Sequence, residues 1–447
     1  MPPYDNTLEQ DEYRLVLLRA GSHAIWARRD NRALHLPSVA IPRWTRPAEQ
    51  LQQAVEGGWH VRAIVLDFLR SESGSNTCVV VEILSPEPPG GLAASSIDDV
   101  LEEEMTRGER EVVKAILAGT TSSGPFSRLG WIGDAFEWMQ KFLGNSIKFT
   151  GDVLQYNATG NFALARFATE TGPAYWLKAT GELHVHEFQI TKMLAERCPE
   201  YLPRRIAERK DWNAWLMEDA GYPLNSWTLP ALERAVSSMA MLQQETIGQT
   251  NPFLTAGAFD QRLCVLRAHL AELVEYLNEA MANQVSARVP RIEKGRLWQM
   301  AGILEDACWR MEALEIPDTL IHSDVNSGNI LFQGANCVFT DWCETGIGNP
   351  FFTLQYLCLL QPPGEEHWAP RLKEVYKQCW LDRLSTSQTD RAFALMPLLA
   401  ILSCLYGRGL WRSSERHNPH VEGYARSLAR HLDRAAQDPR LLEALCH

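Results

Sequence analysis

The stretch HSDVNSGN, residues 322–329, decides how the rest of the chain is interpreted. It places one histidine, one aspartate, two asparagines, one glycine and two serines between the apolar runs TLI (319–321) and ILF (330–332). Short apolar runs of this kind predict buried strands. Because polar groups withdrawn from water are costly unless they have partners, we expect this loop to have a function.

A second carboxylate follows the loop at a spacing that suggests a shared site. Asp341 comes 17 residues after Asp324, directly after the strand-like run 337–340. A hairpin between 330–332 and 337–340 would return Asp341 to the loop that contains Asp324 and Asn329. Two carboxylates and one side-chain carbonyl are hard oxygen ligands of the kind that Mg²⁺ prefers.

The spacing of the loop residues matches the H-x-D-x-x-x-x-N pattern of kinase catalytic loops, with His322, Asp324 and Asn329 in the three defined positions. In that pattern the first aspartate orients or deprotonates the attacking hydroxyl. The asparagine and a later aspartate, here Asp341, hold the metal ions that bridge the ATP phosphates. We interpret His322 as a hydrogen-bonding residue beneath the loop and not as a proton donor.

Phosphoryl transfer also needs a cation on the phosphates, and Lys178, at the end of a short apolar strand, is the candidate. A nearby carboxylate should pair with the Lys178 ammonium and keep the lysine side chain in one rotamer. Glu187 is the expected partner and Glu182 the second choice. His184, His186 and Glu187 could also suggest a metal site, but a second pair of ligands at suitable spacing is missing, so a helix start is preferred.

Together these motifs resemble the aminoglycoside phosphotransferase and choline kinase family of small-molecule kinases. The resemblance covers about residues 150–360. The ordered combination is more specific than any one of its parts. The matching stretches are LK (177–178), HEFQITKMLAE (186–196), LMEDAG (216–221), LIHSDVNSGNILF (320–332) and TDWCETGIGNPFF (340–352).

The resemblance implies an α+β, bilobal protein-kinase-like fold with a β-rich N-lobe and an α-rich C-lobe. It implies ATP and Mg²⁺, and transfer of the γ-phosphate to a hydroxyl of an aminoglycoside-, choline- or secondary-metabolite-like small molecule. It makes Asp324 the catalytic base and Asn329 and Asp341 the metal ligands. The implied cofactor-binding residues are Lys178, Glu187, the hinge residues Met217, Glu218 and Asp219 beside adenine, His322 and Asn329.

The chain also departs from the family pattern. Ser323 stands where the family often has glycine, and Asn349 and Thr353 replace two aspartates that follow the second metal ligand. The turn at 158–160 contains few glycines for a phosphate-binding turn, so its contact with phosphate stays open. These departures leave the identity of the acceptor undetermined.

The residues before the kinase-like part form a separate α/β domain in our interpretation. We expect domains at 1–124, 125–220 (N-lobe) and 221–447 (C-lobe), with a linker at 119–125. The first domain has a Nudix-like layout without the catalytic box, because Gln52 and Gln53 stand where paired glutamates are expected. We predict a structural or substrate-presenting role for it.

The composition narrows the class of partner. The 447 residues carry a net charge of −12, which argues against a nucleic-acid binder. The ten cysteines form no C-x-x-C pair, and we find neither a signal peptide nor a long apolar run, so we expect a cytoplasmic protein away from membranes. The oligomeric state stays open. The alternative function is a pseudokinase-like nucleotide sensor or scaffold, against which the intact Asp324, Asn329 and Asp341 argue.

Overall fold

The structure is a computed structural model that describes residues 9–30, 33–43, 46–69, 77–120, 123–334 and 336–446. The predicted linker at 119–125 includes residues 121 and 122, which lie outside this described part. The chain divides into two compact units. The first comprises Met1–Phe188 and Arg204–Asp219, and the second comprises Gln189–Pro203 and Ala220–His447.

The first unit begins with a mixed sheet of order β3-β2-β1-β6-β5, in which β4 also pairs with β1 and β7 with β2. The central strand β1 is buried on both faces. Its alternating residues Leu15 and Leu17 enter one apolar cluster, and Val16 and Leu18 enter another, as the two-residue period of a strand dictates. The elements are β1 (Gln10–Leu18), β2 (Ile25–Asp30), β3 (Ala33–His35), β4 (Ser38–Pro42), α1 (Pro47–Trp59), β5 (Ala63–Leu69), β6 (Thr77–Ile83), β7 (Ala93–Ser95) and α2 (Arg107–Leu117).

A second, antiparallel sheet of order β11-β12-β10-β9-β8 completes the first unit. Strands β8, β9 and β10 therefore form a β-meander, which β12 and β11 extend. The elements are α3 (Trp131–Leu143), β8 (Phe149–Thr159), β9 (Phe162–Thr169), β10 (Tyr175–Ala179), β11 (Arg205–Arg209) and β12 (Ala214–Glu218).

The second unit is mostly helical, with two small sheets of order β13-β16-β17 and β14-β18-β15. The fold class expected from the sequence, an α/β part followed by β-rich and α-rich parts, is confirmed. The helices are α4 (Glu187–Arg197), α5 (Leu229–Glu245), α6 (Thr250–Thr255), α7 (Leu263–Ala268), α8 (Leu270–Ala282), α9 (Lys294–Glu312), α10 (Phe351–Cys358), α11 (Ala369–Trp380), α12 (Thr386–Gly407), α13 (Pro419–Ala435) and α14 (Pro439–Cys446). The strands are β13 (Tyr222–Pro223), β14 (Phe259–Gln261), β15 (Thr319–His322), β16 (Ile330–Gln333), β17 (Asn336–Phe339) and β18 (Thr345–Gly348).

Local caps and turns set where two of the helices begin. The charged stretch 97–119 forms only a short 3₁₀ turn and then α2, because Thr106 caps the helix reciprocally with Glu109 and so sets its start at Arg107. Helix α4 begins at Glu187, after a turn in which Leu183 has positive φ. A backbone with positive φ at a leucine cannot continue a right-handed helix.

Helix α12 is long and apolar enough to cross a membrane by length and composition alone. In its most apolar window 56% of the residues are buried inside the protein. A buried core helix passes the same test of length and composition.

A buried glutamine ties the centre of the second unit together. Gln261, at the end of β14, donates from Nε2 to Ser323 Oγ at 3.2 Å and accepts from Ser403 Oγ of α12. Gly346 and Gly407 pack against the same amide, and a Cβ at either position would overlap it. A strand, a helix and the polar loop are thus joined through one side chain.

We predict that Gly407→Ala lowers the free energy of unfolding by about 1–3 kcal/mol, the usual cost of overpacking a filled core. The matched control is Gly302→Ala in α9, where a Cβ meets open space. That change should leave stability unchanged or raise it by up to about 1 kcal/mol, because alanine is the better helix former. Denaturant unfolding measures both, and equal stabilities of the two variants would contradict the packing described for Gln261.

Candidate active site

The polar loop connects two strands of the second unit and is built from its own hydrogen bonds. Strand β15 ends at His322 and β16 begins at Ile330. Between them, Asn326 Oδ1 accepts from the Gly328 N–H at 2.8 Å, and the Asn329 N–H donates to Asn326 O at 3.1 Å. These turn-forming bonds explain why the loop is rich in asparagine and glycine.

The side chain of Asn329 holds Asp324 in place. Its Nδ2 donates to the backbone oxygen of Asp324 at 2.8 Å and to the carboxylate Oδ2 at 3.1 Å. The Asp324 side chain is 31% exposed, so it is partly open to solvent. With Nδ2 engaged in this way, the amide Oδ1 of Asn329 is the atom suited to a metal.

The predicted hairpin is confirmed and carries Asp341 back to the loop. Strands β16 and β17 pair antiparallel, and the Thr340 N–H donates to Asn329 O at 2.9 Å. Asp341 follows with a left-handed backbone, φ 64° and ψ 67°. Such a conformation costs a non-glycine residue about 1–2 kcal/mol and is often kept at functional positions.

His322 lies beneath the loop. It is 2% exposed, its ring Nε2–H donates to Thr340 O at 2.9 Å, and its ring centroid lies 4.4 Å from that of Trp342. The imidazole therefore joins the strand that enters the loop to the residue before Asp341. This position matches the structural role that we expected for His322.

The two residues that replace family aspartates have local hydrogen-bonding roles. Thr353 Oγ1 accepts from the backbone N–H of His322 at 3.1 Å, and Asn349 Oδ1 accepts from the Phe351 N–H at 3.1 Å, at the start of α10. Both side chains are buried. Neutral acceptors thus support the loop and the helix start at these positions.

Two charged residues beside Asp324 escaped the sequence analysis. Arg408, just after α12, places Nη2 3.8 Å from Asp324 Oδ1 and donates from Nε to Glu344 Oε2 at 3.1 Å. Burial raises the pKa of the Glu344 carboxyl, whereas the charge of Arg408 opposes that rise. Glu344 follows Asp341 by three residues, and this closeness in sequence could have indicated that it lies near the site. Nothing in the pattern around Arg408 pointed to the loop.

In the first unit, Lys178 and Glu187 form a buried ion pair. Lys178 Nζ lies 2.6 Å from Glu187 Oε1, and the two side chains are 5% and 1% exposed. Glu187, the expected partner, makes this contact, while Glu182 is exposed. The Lys178 ammonium also lies 5.9 Å from the ring centroid of Trp215.

The predicted hinge lies at the end of β12, also in the first unit. The Glu218 N–H donates to Arg204 O at 3.0 Å, and the Asp219 N–H donates to Ala174 O at 3.2 Å. Met217 is 9% exposed. Both N–H groups are thus engaged within the first unit.

The predicted site residues therefore form two groups. The second unit brings together Asp324, Asn329 and His322, with Asp341 one residue beyond the hairpin contact. The first unit brings Lys178 together with Glu187. The oxygen atoms of Asp324, Asn329 and Asp341 are chemically suited to Mg²⁺, because this ion prefers carboxylate and carbonyl oxygens.

Three solved structures resemble the chain over about two thirds of its length. A macrolide 2′-phosphotransferase from Brachybacterium faecium is 14% identical, with 65% of this chain and 96% of that chain covered and a TM-score of 0.42. A choline/ethanolamine kinase family protein from Mesorhizobium loti is 14% identical, with 70% and 98% covered and a TM-score of 0.47. Ethanolamine kinase from Plasmodium vivax is 12% identical, with 66% and 84% covered and a TM-score of 0.45.

No curated protein matches the chain. Residues 257–383, which include the polar loop and Asp341, match the phosphotransferase enzyme family. The family resemblance drawn from the sequence is thereby confirmed for this segment of the chain.

Proposed function

We propose that the protein is an ATP- and Mg²⁺-dependent kinase that transfers the γ-phosphate of ATP to a hydroxyl of a small molecule. The observation that carries this proposal is the pair of hydrogen bonds from Asn329 to Asp324. They orient a partly exposed carboxylate, as a base that receives a hydroxyl proton requires. The same asparagine accepts from Thr340 at the base of the hairpin that leads to Asp341.

In the proposed reaction, Asp324 accepts a hydrogen bond from the acceptor hydroxyl and takes its proton as the new O–P bond forms. The bond between the γ-phosphorus and the bridging oxygen of ADP breaks in the same displacement. Asn329 keeps the Asp324 carboxylate in one orientation. The guanidinium of Arg408 places a positive charge 3.8 Å from Oδ1 of that carboxylate.

Asn329 and Asp341 would hold Mg²⁺ through side-chain oxygens. A bound magnesium ion would supply charge neutralisation on the phosphate oxygens. Asp341 is the second residue after β17, and its left-handed backbone conformation is already present in the folded chain without a metal.

Lys178 would contact the phosphates from the β-rich sheet, and Glu187 would hold its ammonium in position. A buried ion pair seldom stabilises a fold, because its desolvation offsets the attraction between the charges. The burial of both side chains therefore supports a functional reason for the pair.

The acceptor in this proposal is an aminoglycoside-, choline- or secondary-metabolite-like alcohol. The protein would act in the cytoplasm on free small molecules, without a nucleic-acid or membrane partner. A release assay for ADP, run with ATP, Mg²⁺ and a panel of such alcohols, tests the proposal. Release above the ATPase background with at least one alcohol is the expected result. Nucleotide binding without release across the panel would favour the alternative of a pseudokinase-like sensor or scaffold.

Replacing the proposed base should abolish most of the chemistry and spare nucleotide binding. We expect Asp324→Ala to lower kcat by about 10²–10⁴, the usual contribution of a general base. The control is Asp306→Ala, whose carboxylate pairs with Arg310 on α9. Steady-state kinetics and ATP titration measure both effects. Turnover of Asp324→Ala at the parent rate would exclude this aspartate as the base.

Replacing Asp341 should weaken the binding of Mg²⁺. We expect Asp341→Ala to raise the Mg²⁺ concentration needed for half-maximal activity by about tenfold or more, as the loss of one charged ligand or its orientation commonly does. Titration of activity and of ATP binding with Mg²⁺ provides the measurement, again with Asp306→Ala as the control. An unchanged magnesium dependence would contradict the assignment of Asp341.

The buried ion pair allows stability to be separated from catalysis. Lys178→Met leaves Glu187 without its cation and should cost about 3–5 kcal/mol of unfolding free energy. The double variant Lys178→Met/Glu187→Gln should regain most of that stability and still lose about 10²–10³ in turnover, the scale of one electrostatic contact to the transition state. Unfolding and kinetic measurements are compared with the exposed control Lys210→Met. A stable double variant with parent activity would remove Lys178 from the mechanism.

A further inference from the structure

The turn between β8 and β9, residues 160–161, is held by Asp67 of the N-terminal domain and by Phe126, two residues beyond that domain. The Gly160 N–H donates to Asp67 Oδ1 at 3.3 Å, and Gly160 O accepts from the Phe126 N–H at 2.9 Å. Gly160 is buried, although it lies at the tip of a hairpin. Both backbone groups of this glycine are therefore engaged by residues outside its own sheet.

The approach is so close that only glycine fits on either side. A Cβ on Gly124 would overlap the carbonyl oxygen of Gly160, and Gly124 has a φ of 132°. A Cβ on Gly160 would in turn lie 2.6 Å from Ser123 O. Two chain segments thus meet backbone to backbone at the tip of the hairpin.

A second contact fixes the strand that leads into this turn. Gln155 of β8 exchanges two hydrogen bonds with the backbone of Val65, at 2.7 and 2.8 Å. Gln52 of α1 accepts from the Gln155 N–H at 2.8 Å and donates to Val153 O at 2.6 Å. Both glutamines are at most 2% exposed. Gln52, which stands where a metal-binding glutamate was expected, thus serves this packing.

The far side of the turn leads to the buried ion pair. Asn161 packs on Gly181, so closely that a Cβ on Gly181 would overlap its side chain. Gly181 lies in the segment between Lys178 and Glu187. A continuous path of contacts therefore runs from Asp67 through the turn to the residues that we assign to the phosphates.

We propose that the N-terminal domain, residues 1–124, acts as a fixed support for the turn at 160–161 and thereby sets the affinity for nucleotide. The inference rests on the proposed function and adds to it that this turn faces the ATP phosphates, as the corresponding turn of a kinase does. A turn ordered beforehand loses little conformational entropy when nucleotide binds, so affinity rises without a new contact. Asp67 is a positioning residue in this scheme, because it acts through Gly160.

The chemistry of Asp67 supplies a conservative test variant. Burial raises the pKa of its carboxyl, while the hydrogen bonds from Phe68 and Gly160 oppose that rise. What the contact requires is an oxygen acceptor at Oδ1. Asp67→Asn keeps such an acceptor and Asp67→Ala removes it. Asp152→Ala is the matched control, because Asp152 is exposed and lies on β8, the strand that leads into the turn.

The first measurement needs no nucleotide. Deuterium uptake into a peptide that covers residues 155–163 is expected to rise in Asp67→Ala and to stay at the parent level in Asp67→Asn and Asp152→Ala. This readout tests the support independently of any kinase activity. Equal uptake in all four proteins would overturn the proposal.

The second measurement is the split between KM and kcat in the full-length protein. We expect Asp67→Ala to raise the KM for ATP by about three- to tenfold, the scale of one lost hydrogen bond, with kcat and the acceptor KM within about twofold of the parent. Asp67→Asn should restore the parent KM. Faster uptake with an unchanged KM would show a purely structural contact and refute the role in affinity. If the parent protein shows no turnover, the affinity for ATP with Mg²⁺ is measured by direct titration in place of KM. An absence of nucleotide binding would contradict both this inference and the proposed function.

Discussion

One backbone hydrogen bond, from the Thr340 N–H to Asn329 O, holds the oxygen ligands of the candidate site in register. A slip of one residue between β16 and β17 would reverse the side on which every following side chain lies. Asp341 would then leave the loop that contains Asp324. The apolar residues that bury one face of this hairpin make such a slip costly, and so the packing of the second unit protects the geometry of its polar loop.

Around that bond, the loop is supported by groups that carry no formal charge. Ser323 contacts the buried amide of Gln261, and Thr353 accepts from the backbone of His322. The family pattern has aspartates where this chain has Thr353 and Asn349. Replacing a buried carboxylate with a neutral acceptor removes a desolvation cost while it keeps a hydrogen bond, provided that the partner is an N–H group. The departures from the pattern are thus compatible with an intact loop.

The buried pair of Lys178 and Glu187 and the contact of Asp67 with Gly160 follow the same physical logic. Each places an ionisable group where water is scarce, and each such placement is costly unless a partner compensates it. Glu187 compensates Lys178, which lies on strand β10, and the Gly160 N–H compensates Asp67 at the turn between β8 and β9. In the proposal made above, residues 1–124 support the turn at 160–161 and need no chemistry of their own.

Much of the fold and the central part of the site could be predicted from local patterns. The hairpin that returns Asp341 and the strand that carries Lys178 follow from turn residues and from the two-residue period of strands, which operate over short stretches of chain. The meaning of the loop spacing and the choice of Glu187 follow from the kinase pattern. The contact between Asp67 and Gly160 joins residues 93 positions apart, and the approach of Arg408 to Asp324 depends on where α12 ends. Only tertiary packing decides such contacts, because the periodicity and spacing of residues along the sequence do not indicate which distant groups come together in the folded chain.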